Sequence, residues 1–113
     1  MKTNLEVGPA KHTQGGYISI GFYGEGAVAL MVESARGREA VATVNLPEVN
    51  LPPRQIILKG WSENEGIPEA LEKAGLVKLT GETIPTGFCF AEIAEMEELL
   101  LIEVELIKQN GEA

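Results

Sequence analysis

From Tyr17 to Tyr23 the chain alternates, with Ile18, Ile20 and Phe22 on one face and Tyr17, Ser19 and Gly21 on the other. This is the period-two pattern of a half-buried strand. Ala27 to Val32 alternates again and groups Val28, Leu30 and Val32, and Ala40 to Leu46 does so a third time with Ala42, Val44 and Leu46. The connections are Gly24-Glu25-Gly26 and the Ser34–Arg38 loop, short segments whose glycines accept positive φ. Strands joined this way predict an antiparallel meander, with Leu5–Val7 as an added edge strand before Gly8-Pro9. Pro47, Pro52 and Pro53 then interrupt the pattern, because proline has no donor for a sheet ladder. Gln55–Lys59 resumes it with Ile56, Ile57 and Leu58, apolar on both faces and therefore predicted to be covered on both.

The period changes after Gly60. Ile67, Ala70, Leu71 and Ala74 fall at helical spacing, predicting a helix over 66–74 with one apolar stripe. Ser62-x-x-Glu65 has the form of a capping box, but a helix starting there would hold Pro68 in its interior, where proline removes a hydrogen bond. Pro68 fits the first turn of a helix that begins at Gly66, and Gly75 supplies a left-handed end with Leu76 packing back on Leu71. Beyond it, Leu76–Leu79 reads as a short strand, Thr80-Gly81-Glu82 as a turn, and Phe88–Met96 as a weakly alternating strand. Leu99–Lys108 has helix-favouring residues, yet Ile102-Glu103-Val104-Glu105-Leu106 alternates strictly, and the reading adopted is strand. The expected architecture is α+β: one domain spanning 1–113, an antiparallel sheet of five to seven strands with one short helix packed on one face. In it, 1–60 is mainly strands, 66–74 the helix, and 76–108 further strands or a C-terminal extension.

Charge narrows the chemistry. The 113 residues carry a net charge of −8, and all 17 acidic residues are glutamate. The absence of aspartate removes the residue most used in magnesium sites, aspartic dyads and Asp-based triads. A field of this sign repels nucleic acid, so direct DNA or RNA binding is not expected, whereas a basic protein partner is. No apolar run reaches the ~20 residues of a membrane span, and Met1–Glu6 lacks the apolar core of a signal peptide. The expected location is the cytoplasm. One cysteine, Cys89, and one histidine, His12, make no tetrahedral metal set, so neither metal nor cofactor is expected. Cys89 reads as a small core residue and His12 as a solvated loop residue.

The polar stretch Trp61-Ser62-Glu63-Asn64-Glu65-Gly66 is the candidate site. Trp61 is the single tryptophan, a residue type enriched at binding hot spots, though a half-buried plug over the core explains it as well. Glu63 and Glu65 are close enough in sequence for a carboxylate pair; an exposed acidic turn ahead of a helix is the simpler reading. Trp61, Glu63, Asn64 and Glu65 are the predicted partner-contact residues. Asn64, Thr86 and Gly87 are the candidates for a small ligand, held in a pocket between protomers if the chain self-associates. No catalytic residue is assigned; an enzymatic alternative would rest on Glu63 or Glu65.

Thr43-Val44-Asn45-Leu46-Pro47, Ser62-Glu63-Asn64-Glu65-Gly66, Ala70-Leu71-x-x-Ala74-Gly75-Leu76-Val77 and Thr80-Gly81-x-Thr83-x-Pro85-Thr86-Gly87-Phe88 recur in order over residues 43–96. With them the chain resembles a family of small uncharacterised proteins, a domain of unknown function carried by bacterial phages and conjugative elements. Pro68 departs from the family pattern, and Glu97–Ala113 extends past it. The resemblance implies an accessory protein of a mobile element, and supplies no catalytic residues. The functional expectation is a non-catalytic, acidic binding protein that blocks a host defence or nucleic-acid-processing protein. The alternative is a binder of a small nucleotide signal.

Overall fold

Strands β1 (Lys2–Val7), β2 (Gly16–Phe22), β3 (Val28–Ser34) and β4 (Gly37–Val41) form an antiparallel meander in the order β1-β2-β3-β4 in the computed structural model, which describes residues 2–110. The β2–β3 register pairs Ile18 with Val32 and Ile20 with Leu30, so the predicted apolar faces coincide across the ladder. A second antiparallel sheet has the order β5-β7-β6, from β5 (Gln55–Leu58), β6 (Val77–Thr86) and β7 (Cys89–Met96). The predicted single sheet of five to seven strands is thus two sheets of four and three strands.

The third predicted strand explains the division. Its ladder with β3 ends at Val41, short of the expected Leu46. The chain then swings from one sheet to the other: the Ala42 N–H still donates to the Leu30 carbonyl (2.8 Å), while the Ala42 carbonyl accepts from Lys59 N–H (3.0 Å). Thr43 makes an isolated antiparallel bridge to Leu58, and Val44 N–H donates to the Ile57 carbonyl (3.0 Å). The Thr43 hydroxyl is buried at this joint, accepting from Leu30 N–H (3.1 Å) and bonding the Tyr23 hydroxyl (3.0 Å).

Helix α1 (Ile67–Lys73) lies where its stripe predicts, with Ile67, Ala70 and Leu71 buried. Gly66 is its N-cap at φ 89°, and no side chain caps it, so the capping box does not form; Pro68 stands in the first turn. At the other end Gly75, φ 80°, donates to Glu72 and Leu76 donates back to Leu71 (3.1 Å). That pair of bonds is a Schellman motif, with Leu71 and Leu76 both in the core.

Two expectations are corrected. Thr80-Gly81-Glu82 does not end a strand: β6 runs through it, and a bulge between Leu79 and Thr83 absorbs the extra residues. Gly81 takes φ 87°, and the Thr80 hydroxyl donates to the Ile93 carbonyl (2.9 Å) while accepting from Glu82 N–H (3.1 Å). These residues have turn chemistry, and here it bends a ladder instead of ending it. Second, Leu99–Lys108 is not a strand but part of helix α2 (Glu98–Gln109). Leu100, Val104 and Ile107, spaced four and three apart, are buried in the core, whereas Ile102 and Leu106, which alternation places with Val104, are exposed. The described protein therefore has two helices where one was expected. Both sheets and both helices contribute to one apolar cluster, through Ile18, Ile20, Leu30 and Val32, Ile56, Leu58, Ala94 and Met96, Ile67 and Leu71, and Leu100 and Val104. No described helix is long and apolar enough to cross a membrane.

Candidate functional site

The Trp61–Gly66 stretch is a tight turn pinned from two sides. Ser62–Asn64 makes one turn of 3-10 helix, closed by Asn64 N–H to Trp61 carbonyl (3.0 Å) and Glu65 N–H to Ser62 carbonyl (3.1 Å). Ser62 sits at φ 55°, a left-handed conformation uncommon for a residue other than glycine. The loop before β2 docks beneath: Lys11 N–H donates to the Glu65 carbonyl (3.2 Å), and a Cβ on Gly66 would stand 3.3 Å from that same nitrogen.

The four predicted contact residues divide in use. Asn64 is 1% exposed, and its amide donates to the Val41 carbonyl (2.7 Å), fastening the turn to the end of β4. Its side chain faces the interior. Glu65 pairs with Lys11 (2.6 Å), and this hydrogen-bonded contact, with the Lys11 charge, holds its carboxyl below the usual glutamate range. Glu63 is exposed and Trp61 half-buried. Of the ligand candidates, Thr86 and Gly87 lie at the turn of the β6–β7 hairpin, where the Thr86 hydroxyl donates to the Cys89 carbonyl (3.4 Å) and Gly87 takes φ 72°. They and Asn64 are thus committed to different turns. Cys89 is half-buried on β7, and His12 is exposed.

The turn borders a feature that sequence reasoning did not single out. Gly60 packs against Pro68 and lies near the Glu92 carboxylate. Glu92 projects from β7 where β5 ends, at the Leu58–Glu92 pair. Partial burial raises its carboxyl above the usual range, and the nearby charges of Glu69 and Glu72 on α1 push it further the same way. Among the described residues none of these three carboxylates has a lysine or arginine within ion-pair distance. Past Glu92 the β6–β7 hairpin continues for three more pairs, Ile84–Ala91, Pro85–Phe90 and Thr86–Cys89, with no β5 beside it. At this free end Phe88 is fully exposed and Phe90 is 65% exposed. Period-two alternation along Phe88–Met96 puts Phe90 and Glu92 on one face, a pattern present in the sequence itself; that β5 stops at Glu92 is decided by the fold.

A separate groove of about 410 Å³ runs between the β2–β3 turn, the proline-rich bridge and the end of α2, with Tyr23, Asn45, Asn50, Gln55 and Lys108 along it. No group of three histidine, cysteine or glutamate side chains able to hold a metal occurs among the described residues. Compared with known proteins, the chain matches no family model, no curated protein and no solved structure.

Proposed function

We propose that the protein is a non-catalytic binding protein, an accessory product of a phage or conjugative element that engages and blocks a basic host protein inside the cell. The observation that carries this reading is the exposed Phe88–Phe90 hairpin end on the strand that carries Glu92, whose carboxylate feels the charges of Glu69 and Glu72, none of the three facing a lysine or arginine at ion-pair distance among the described residues. Like charges held close raise the energy of the free protein, and a cationic partner relieves that repulsion on contact. The aromatic side chains add apolar area that water leaves when a partner covers it. Trp61 and Glu63 follow Gly60, which lies near Glu92, so the turn adjoins this face along the chain with its accessible residues, while Asn64 and Glu65 hold the turn in shape.

The test is capture of host proteins on the immobilised chain at low and high salt, with Phe88→Ser and a Glu63→Lys, Glu69→Lys double variant beside the natural sequence. A specific basic protein should be retained at low salt, and lost both at high salt and on either variant. Retention by both variants, with their folding verified by circular dichroism, sinks the reading.

The groove favours a second reading, a small-ligand site lined by Tyr23, Asn45, Asn50 and Lys108. A nucleotide that fills it stabilises the folded form and raises the melting temperature in proportion to its occupancy. The enzymatic alternative gains least, because the Lys11 contact moves Glu65 away from the raised pKa a general acid needs at neutral pH.

A further inference from the structure

Helix α2 is apolar on two sides. Its inner stripe, Leu100, Val104 and Ile107, is buried, yet Leu99, Ile102 and Leu106 stand 55%, 50% and 48% exposed on the outside. At about 100° per residue these three span roughly 60° of the helix circumference, one row along its length. A helix serving only the core keeps polar residues on its outer face. An open groove of about 240 Å³ lies along one side of the row, where Ile102 and Leu106 face Glu98, Leu101 and Glu105 of the same helix. Single exposed leucines are ordinary, but a row of three large side chains on one element marks a contact surface.

The flanks identify what covers it. Glu98 and Glu105 border one side of the row and Glu103 the other; Glu98 and Glu105 are exposed and meet their own cations, Arg54 (4.0 Å) and Lys108 (3.9 Å), only at the edge of ion-pair range. A second copy of the chain would set these carboxylates against their own counterparts, and an anionic lipid surface would repel them. A chain with lysines or arginines beside its own apolar row matches both features. We propose that the outer face of α2 docks a basic amphipathic helix of a partner protein, whose leucine-like side chains enter the Leu99–Ile102–Leu106 row while its cations meet Glu98, Glu103 and Glu105. Anchors at helical spacing suit this geometry, since α2 presents its row over about two turns. The assignment rests on the reading that the protein binds a basic partner, and gives that partner a second, distinct point of attachment.

The probe is a fluorescently labelled model peptide of about 18 residues, long enough to be helical, built of leucine and lysine in amphipathic order; a leucine–glutamate peptide of the same order is its control. Binding to the full chain is read by anisotropy. The variant Leu99→Gln, Ile102→Gln, Leu106→Gln keeps the charge and removes the apolar row. Affinity for the cationic peptide should fall about tenfold or more on this variant, and stay within about twofold on Lys78→Gln, an exposed position of β6 outside both candidate surfaces. The anionic peptide should not bind. If the triple variant does not fold, Ile102→Gln and Leu106→Gln singly carry the test, each expected to weaken binding about threefold.

Three results overturn the proposal: unchanged affinity on the folded glutamine variants, equal binding of the anionic peptide, or a dimer in sedimentation that those variants dissociate. Loss on Phe88→Ser with the glutamine variants unaffected would sink the α2 site but leave the basic-partner reading standing. No binding of the cationic peptide to any form would tell against both.

Discussion

Asn64 and Glu92 carry opposite lessons about single residues. Asn64 is polar and stands in a run of polar residues, so the sequence places it on the surface; the fold instead spends its amide on the Val41 carbonyl. Asn64→Ala leaves that carbonyl without its donor and should cost about 1–3 kcal/mol. For a domain of this size the melting temperature should drop by about 4–8 °C per kcal/mol, read by thermal denaturation. A contact residue would instead lose binding and leave the melting temperature unchanged. Thr43→Val is expected to cost about as much, because Leu30 N–H would then be buried with no acceptor.

Glu92 has a folded pKa above its unfolded one, so the folded form holds the proton more tightly and ionisation works against folding. Stability from this group is therefore highest at low pH and falls as pH rises from the ordinary glutamate range through the raised value. Glu92→Gln should stabilise the protein at about pH 7, by about 0.5 kcal/mol given solvent screening, and should give no gain near about pH 4. Glu65 has the opposite sign: its contact with Lys11 stabilises above the ordinary glutamate range and is lost as pH falls through the depressed value. Urea titrations of the natural chain and Glu92→Gln at the two pH values measure the difference.

Among the elements, α2 is where periodicity misleads. Over five residues strict alternation and a two-sided apolar helix look the same, since both put apolar side chains at 102, 104 and 106. The longer window separates them: Leu100, Val104 and Ile107 fit a helical row, and only tertiary contact selects that row for the core. Leu100→Ala should cost about 2–5 kcal/mol, whereas Ile102→Ala should stay within about 0.5 kcal/mol, as measured by urea denaturation. Equal costs would indicate a strand face. The β6 bulge teaches a related point. Gly81 at positive φ and the Thr80 hydroxyl are turn signals in any sequence, but pairing with β7 on both sides of them turns the break into a kink. Close strand approach is sharper still at Gly16, where a Cβ would lie 1.9 Å from the Glu33 carbonyl oxygen at φ 144°. Gly16→Ala should therefore strongly destabilise the β2–β3 ladder.

For the whole molecule, charge and core pull in different directions. A net charge of −8, with few ion pairs among the described residues, leaves mostly repulsion to be screened. Raising salt from about 20 mM to about 500 mM should then raise the melting temperature, by about 2–5 °C, while weakening any bound basic partner. A protein held together by its ion pairs would lose stability instead. The shared apolar cluster ties both sheets and both helices together, so unfolding should be one cooperative transition, coincident by circular dichroism and by Trp61 fluorescence.

The sequence by itself determined the local choices: the faces of β2 and β3, the stripe and both ends of α1, the proline bridge, and an acidic surface suited to a cation. These follow from periods, turn chemistry and charge, which act over a few residues. Only the tertiary structure decided which face of α2 is buried, where the third strand leaves one sheet for the other, and that Asn64 turns inward. It also decided that the charges of Glu69 and Glu72 act on Glu92, on the strand whose far end carries uncovered aromatic side chains. Each of these depends on what packs against the element from elsewhere in the chain, and a local pattern holds no record of its neighbour.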